Sequence, residues 1–482
     1  MPMLDCHYAT LGRAAFFVAV AGLAGGCTTS GEPPAATIKP VSSYQTAQSL
    51  KAGTSVWPGE GWWTQYGDPQ LSALIEEGLR DAPDMRAAAA RLAIADSGIG
   101  TAKSALLPSL NANASVDTER QSYNYLIGSD FVPKGWNDGG LAAISFNWQI
   151  DFWGRNRAAL AAAKGDAAAS AAEADAARLA LSTGIAGVYA KLDALYAERN
   201  TTSRALNVRH QTVSLIADRT QQSLENDSAL ERVRAAEAST KAHLDAIDEQ
   251  IALTRNQLAA MVGAGPDRGL SITAPKVSGK SWSGVPADLP LELVGRRPDI
   301  IAARMRVEAG GERVKVAQAD FYPNINLAAV IGRQALGLDL FGNPDSTFGS
   351  AGPAISLPIF EGGRLEAAKG RAVANHDLAV ANYDATLSEA LKEVADAVVS
   401  KRQLRLRIAD TQRAVTAASK AWQVTKDRYE GGLANYLEVL TAQDQLIDAE
   451  AAEAALVARS FALDIDMIRA LGGGYSATET TK

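Results

Sequence analysis

Cysteine is nearly absent from this chain: its 482 residues hold two, Cys6 and Cys27. No disulfide framework and no cysteine-held metal cluster can be built from them. Histidine is scarce as well, and His7, His210, His243 and His376 are scattered without metal-ligand spacing. Positive charge is not in excess. Forty-seven Lys and Arg stand against 54 Asp and Glu, a net charge of −7, which argues against a nucleic-acid partner. After the N-terminal segment no stretch approaches the roughly 20 apolar residues of a transmembrane helix. A mature chain that crosses a membrane must therefore do so with β-barrel strands. Enzyme motifs are missing too: there is no nucleophile elbow and no metal-binding histidine pair. Residues 274–281 read Ala-Pro-Lys-Val-Ser-Gly-Lys-Ser. They lack the first glycine of a phosphate loop and its strand-to-helix setting. Proline is absent from residues 155–265 and again from 363–482.

What is present is a duplication. Asp218-Arg219 recurs as Asp427-Arg428, Gly154-Arg155 as Gly363-Arg364, and Gly263 as Gly472, each 209 positions on. Upstream, Pro83-Asp84 and Pro108 recur as Pro298-Asp299 and Pro323 at an offset of 215. One supersecondary unit is built twice.

Each unit reads in three sections. The first is an amphipathic helix opened by Pro83-Asp84 or Pro298-Asp299. The second is a hairpin. In the first copy Leu110, Ala112, Ala114 and Val116 alternate with polar residues, and 141–150 return; in the second Ile325 and Leu327 alternate, and 353–360 return. The third is a very long helix pair, rich in strong helix formers and broken once, near Leu224 or Gly431-Gly432. Residues 155–219 would make a rod on the order of 100 Å long. In the last helix Leu433, Leu440, Ile447, Ala454, Phe461 and Ile468 repeat every seven residues, beside Leu437, Asp444, Ala451, Ala458 and Ile465. The fold class is mostly α with a small β part. The parts are a signal peptide (1–26), an extended arm (27–60), repeat 1 (61–263), a linker (264–290), repeat 2 (291–474) and a tail (475–482). Four strands per chain cannot close a barrel, and open edges are not tolerated in lipid. Hairpins in a membrane would have to be pooled among several chains.

The N-terminus has signal-peptide proportions: Arg13, an apolar run, then small residues ending Leu23-Ala24-Gly25-Gly26-Cys27. This ending resembles a bacterial lipobox with its leucine one position early. Cys27 is accordingly the expected site of a covalent lipid that tethers the mature chain to a membrane. The alternative is an ordinary cleaved signal followed by an incidental cysteine.

Further motifs carry a family resemblance. They are Gly67-Asp68-Pro69, the run from Trp148 to Arg155, Arg297-Pro298-Asp299-Ile300, Tyr322-Pro323-Asn324-Ile325, Pro358 to Arg364, and Tyr429-Glu430-Gly431-Gly432-Leu433 with Tyr436 to Leu440. In this order over nearly the whole mature chain they resemble the TolC-like outer-membrane factors, most closely the lipoprotein branch that serves resistance-nodulation-division (RND) efflux pumps. The resemblance implies a homotrimer whose hairpins pool into one 12-stranded β-barrel, while the long helices form an α-barrel across the periplasm. It implies passive conduction of small molecules, and as partners an RND-type inner-membrane transporter, a periplasmic membrane-fusion adaptor and the outer membrane. Catalytic residues, metal and cofactor are expected to be absent, apart from the lipid on Cys27. A type I protein or peptide secretion channel shares the fold, and a periplasmic coiled-coil scaffold without a pore is the third reading.

In this family the helix-to-helix turns close like an iris. They resemble residues 218–231 and 427–443 here. By motif alignment Tyr429 takes the place of a gate tyrosine and Glu438 that of a gate acid. Ser228 falls near a hydroxyl position, and Arg428 is a neighbouring donor. Arg219 and Leu224 belong to the first turn, Gly431, Gly432 and Leu433 to the second. Glu438 reads equally as a solvated outer-face glutamate. Asp444 reads either as a pore-facing acid or as a buried hydrogen-bonding group. Thr220, Ser223, Ala434 and Thr441 depart from the family's usual gate residues.

Overall fold

The computed structural model describes residues 36–46, 48–50, 57–124, 130–278 and 289–475. Cys27, the signal peptide, most of the arm, part of the linker and the tail beyond Tyr475 lie outside them. The described residues from Ile38 to Tyr475 form one compact unit.

Helix α1 (Pro69–Asp81) starts where the Asp68 side chain accepts the Gln70 N–H at 2.9 Å, with Pro69 in the first turn. Helices α2 (Pro83–Ser104) and α7 (Pro298–Ala319) each open on proline and run 22 residues. Strands β1 (Ser109–Glu119) and β2 (Asn137–Ile150) form the first hairpin. Helix α3 (Arg155–Gln221) follows a left-handed Gly154 and turns back as α4 (Asp227–Met261). The short helices α5 (Asp267–Leu270) and α6 (Leu289–Arg296) lie between the copies. After α7 come β3 (Asn324–Leu336) and β4 (Thr347–Ser356). Helix α8 (Arg364–Glu430) follows a left-handed Gly363 and turns back as α9 (Tyr436–Ala470). The duplication is carried to the residue: α3 and α8 are both 67 residues long, α4 and α9 both 35. A helix of 67 residues is roughly 100 Å long. Among the described residues no helix is long and apolar enough to cross a membrane.

The two hairpins join into one antiparallel sheet in the order β1-β2-β3-β4, with β2 and β3 paired from Gly139↔Leu336 to Ile150↔Ile325. The register sorts the faces. Leu110, Ala112, Ala114, Val116, Ile144, Phe146, Ile325, Leu327, Ile331 and Ile355 share one face. Asn111, Asn113, Ser115, Ser145, Asn147 and Asn326 share the other. β1 and β4 leave open edges.

Two strand expectations need correction. The return strand of the second copy is 347–356, not 353–360. It stops at Ser356 because its partner ladder starts at Asn324, and Pro358 has no N–H to extend it. Pro353 is tolerated because β4 is an edge strand. β2 begins four residues before Leu141. The run Asn137-Asp138-Gly139-Gly140 looks like a turn in sequence. In the fold a side chain at Gly140 would meet Phe341 and Leu338 of the β3–β4 loop, so glycine lets that loop lie on the strand.

The main core gathers Trp62, Tyr66, Leu71, Leu74, Ile185, Tyr189, Leu258, Ile272, Phe461 and Ile468, joining the 61–66 segment, α1, α3, α4 and α9. Residues 273–278, which hold the described part of the faint phosphate-loop match at 274–281, are an extended strap: the Lys276 N–H donates to Asp68 at 2.8 Å, and Thr273 to Gln70. The heptad reading of α9 holds from Ala458 onward, where Ala458, Phe461, Ile465 and Ile468 are buried. Nearer the turn it slips by one position. There Tyr436, Val439, Ala442 and Gln443 are buried, whereas Leu437 and Ala451 are exposed.

The copies differ in burial. α7 packs between α3 and α8 and buries nine residues, including Ile300, Val307 and Gly310. Its counterpart α2 packs on α3, has Ala88 as its buried residue and leaves Ile94 exposed.

Candidate functional site at the helix-to-helix turns

Both turns use one backbone device. The Leu224 N–H donates to the Arg219 carbonyl at 2.9 Å, and the Leu433 N–H to the Arg428 carbonyl at 2.7 Å. The inner bonds run from Ser223 to Thr220 and from Gly432 to Tyr429. This is the helix-ending motif that needs one left-handed residue, usually glycine. Gly432 supplies it at φ 74°, and Ser223 occupies the same position in the first turn at φ 59°. A left-handed L-residue costs roughly 1–2 kcal/mol. Ser223→Gly is therefore expected to tighten the first turn by about 1 kcal/mol, slowing hydrogen exchange of the Leu224 amide roughly fivefold. Gly432→Ser should do the opposite in the second turn, where a Cβ would meet nothing within 4 Å and the cost is purely conformational.

The helices restart on asparagine. Asn226 accepts the Ala229 N–H at 2.9 Å, and Asn435 accepts the Glu438 N–H at 3.0 Å. Glu438 reaches back to the Asn435 N–H at 3.4 Å and completes a capping box that the first turn, with alanine there, cannot make. The exposed Arg428 donates to the Leu433 carbonyl at 3.2 Å. Ser228 is exposed, and its carbonyl accepts from Arg232 at 3.2 Å. Gly431 caps α8 at φ −80°. Leu224 and Leu433 project outward, 60% and 74% exposed.

Tyr429 is different. Although it lies beside a surface turn, it is 5% exposed. It packs with Ile216, Ala229, Val233, Tyr436 and Val439 in a small core that joins all four tip helices. Its hydroxyl donates to Glu225 Oε1 at 3.2 Å. The Arg219 guanidinium sits 4.6 Å from its ring centroid, and Tyr436 meets it edge-on at 5.6 Å. Burial pushes the Tyr429 hydroxyl up to about 12, with Glu225 adding to the rise and Arg219 opposing it. At neutral pH Tyr429 is therefore a hydrogen-bond donor. Further up the rod Asp444 is half-exposed and ion-paired with Arg209 of α3 at 2.8 Å.

The structure thus brings Tyr429 and Arg219 together, and it leaves Glu438, Arg428 and Ser228 in local turn contacts outside that cluster. Glu225 and Arg209 escaped the sequence reading, and Tyr436 entered it only as part of the family motif, not as a partner of Tyr429. The duplication held the signal for Glu225: at an offset of 209 it faces Ala434, so the first turn carries an acid that the second lacks. Among the described residues no group of His, Cys, Asp and Glu could hold a metal ion.

Residues 74–264 and 289–473 match the family profile described as outer membrane efflux protein. The fusaric acid resistance protein FusA of Burkholderia cepacia is 34% identical over 377 residues, spanning 76% of this chain and 70% of that protein. The crystal structure of the outer membrane protein VceC from Vibrio cholerae superposes with a TM-score of 0.82 at 43% identity, covering 87% of this chain and 100% of that one. The outer-membrane channel OprN superposes at 0.80 with 25% identity, covering 92% and 97%.

Proposed function

Since this chain belongs to the outer membrane efflux protein family and is an outer-membrane efflux channel, we propose that three copies close it into one passive duct. The observation that carries the trimer is the difference between α2 and α7. α7 is covered on two sides, by α3 and α8 of its own chain. α2 packs along α3 and touches α1 besides, and no equivalent of α8 covers its other side. A second copy supplies it. The contact is head-to-tail, so it generates a ring when the rotation closes. The same step pairs the open edge of β4 with β1 of the next copy, and three chains pool 12 strands. The apolar face then meets lipid and the Asn- and Ser-rich face lines the lumen. The helices continue the lumen as a periplasmic tunnel.

The chain supplies a path and no chemistry. Driving force comes from an RND-type transporter of the inner membrane, reached through a periplasmic adaptor that docks at the turns, where Leu224 and Leu433 stand exposed. Tyr429, held by Glu225 and Arg219, keeps the two turns of a chain together and closes the duct at rest. Glu438 and Asp444 add negative charge near the constriction. Cys27 carries the lipid that holds the mature N-terminus at the membrane.

The test is the mass of the detergent-extracted particle by light scattering, with detergent subtracted, together with the intact mass of the chain. Three chains per particle, released only from outer membrane, are expected, each beginning at an acylated Cys27. A soluble monomer or dimer would sink the duct and leave a coiled-coil scaffold. An unmodified Cys27 would remove the anchor alone.

A further inference from the structure

The apolar face of the sheet carries one cation. Along β3 the residues on that face are Ile325, Leu327, Ala329, Ile331 and then Arg333. Arg333 lies opposite Ala142 on β2 and Thr347 on the edge strand β4, one strand in from the edge that the trimer closes. It is exposed and makes no ion pair among the described residues. Its described contact is a single bond, from Nη1 to the Gly342 carbonyl at 3.3 Å. Asp138, the anion on this face, stands at the rim with its carboxylate accepting the Leu338 N–H at 3.1 Å.

The height of Arg333 can be read from the strand. Trp153 and Tyr322 stack at 4.7 Å just below the first residue of β3, and Trp153 Nε1 donates to the Pro323 carbonyl at 2.8 Å. Such half-exposed aromatic pairs mark the lower edge of a barrel's lipid band. Arg333 is nine residues above Asn324. At about 3.3 Å per residue and a tilt of roughly 40°, it stands about 23 Å higher. The apolar band of outer-membrane barrels is roughly 25 Å tall. Arg333 therefore lies at its outer rim, on the lipid side, below the exposed Leu338 and Leu340 of the β3–β4 loop.

A guanidinium with a single backbone partner, facing acyl chains at headgroup depth, lacks an anion. Its planar fork matches a phosphate bidentately, and the Thr347 hydroxyl beside it adds a further donor. We propose that Arg333, with Thr347, binds the phosphate of a phosphorylated lipid in the outer leaflet. This rests on the barrel reading above.

The experiment titrates detergent-solubilised full-length protein with bisphosphorylated lipid A and with the same lipid stripped of phosphate, counting bound lipid by native mass spectrometry. The wild-type particle should retain the phosphorylated form, and Arg333→Gln should bind it about tenfold more weakly, the loss expected for charge-assisted hydrogen bonds. Arg333→Lys, which keeps the charge without the fork, should fall between. Equal retention by Arg333→Gln, or equal binding of the stripped lipid by wild type, overturns the site. A three-chain particle without phosphate dependence overturns this inference alone. A chain that needs no detergent overturns both it and the barrel.

Discussion

Arg297→Ala is expected to cost about 3–5 kcal/mol, the largest stability loss for a single side chain outside the cores. The guanidinium is buried at the start of α7 and joins three helices. It donates to Asp299 at 2.7 and 3.1 Å, to Glu393 of α8 at 2.6 Å and to the Ala470 carbonyl at the end of α9 at 3.2 Å. Burial alone would lower its pKa, but the two carboxylates outweigh burial and raise it. Truncation leaves those carboxylates close together with their shared cation gone, which is costlier than never having built the pair. The neighbouring backbone has no slack: a side chain at Gly472, at φ 86°, would collide with the Arg296 carbonyl. Chemical unfolding of the extracted particle measures the loss. Arg297→Lys, which cannot fork to both acids, should recover only part of it. A loss under about 1 kcal/mol would show that water reaches the site and replaces the guanidinium.

Tyr429→Ala is expected to open the tip. It removes a buried ring from the small core between the turns, a change of about 3 kcal/mol or more. If that core holds the resting state closed, the open population rises over a hundredfold. Single-channel conductance in planar bilayers reads this directly. Tyr429→Phe keeps the ring and removes only the donor to Glu225, a loss of about 1 kcal/mol and roughly a fivefold rise in open time. Glu225→Ala should match it. Equal behaviour of Tyr429→Phe and Glu225→Ala, both well short of Tyr429→Ala, separates the hydrogen bond from the packing. Wild-type conductance in Tyr429→Ala particles of normal mass would remove Tyr429 from the gate.

Much of the fold was legible because it is written twice. Repeated Gly154-Arg155 and Gly363-Arg364, repeated Asp-Arg pairs and two proline-free stretches place the long helices and their turns to within two residues. What sequence alone misplaced depends on contacts made across the fold. Asn137 to Gly140 has turn composition, and it becomes strand because the β3–β4 loop lies on it. The α9 heptads predict one seam, but at the tip the residues that close on Ile216 of α3 and Tyr429 of α8 are Tyr436 and Val439, one position off that seam. At the tip the family resemblance pointed to Tyr429, yet its acid partner sits 204 residues away in chain order and cannot be read locally. Glu438 is the reverse case. Its capping box with Asn435 is a four-residue signature visible in sequence, Asn-x-x-Glu opening α9.

The matched helix lengths turn the chain into a gauge. Two rods of 67 residues, each leaving the sheet after a left-handed glycine, bring their turns to one depth. In the proposed ring of three chains, six turns would present a level rim to an adaptor. Adding one helical turn to a single rod would push three of the six out by about 5 Å and spoil the rim. The span of this duct can change only when both halves of the chain change by the same number of residues.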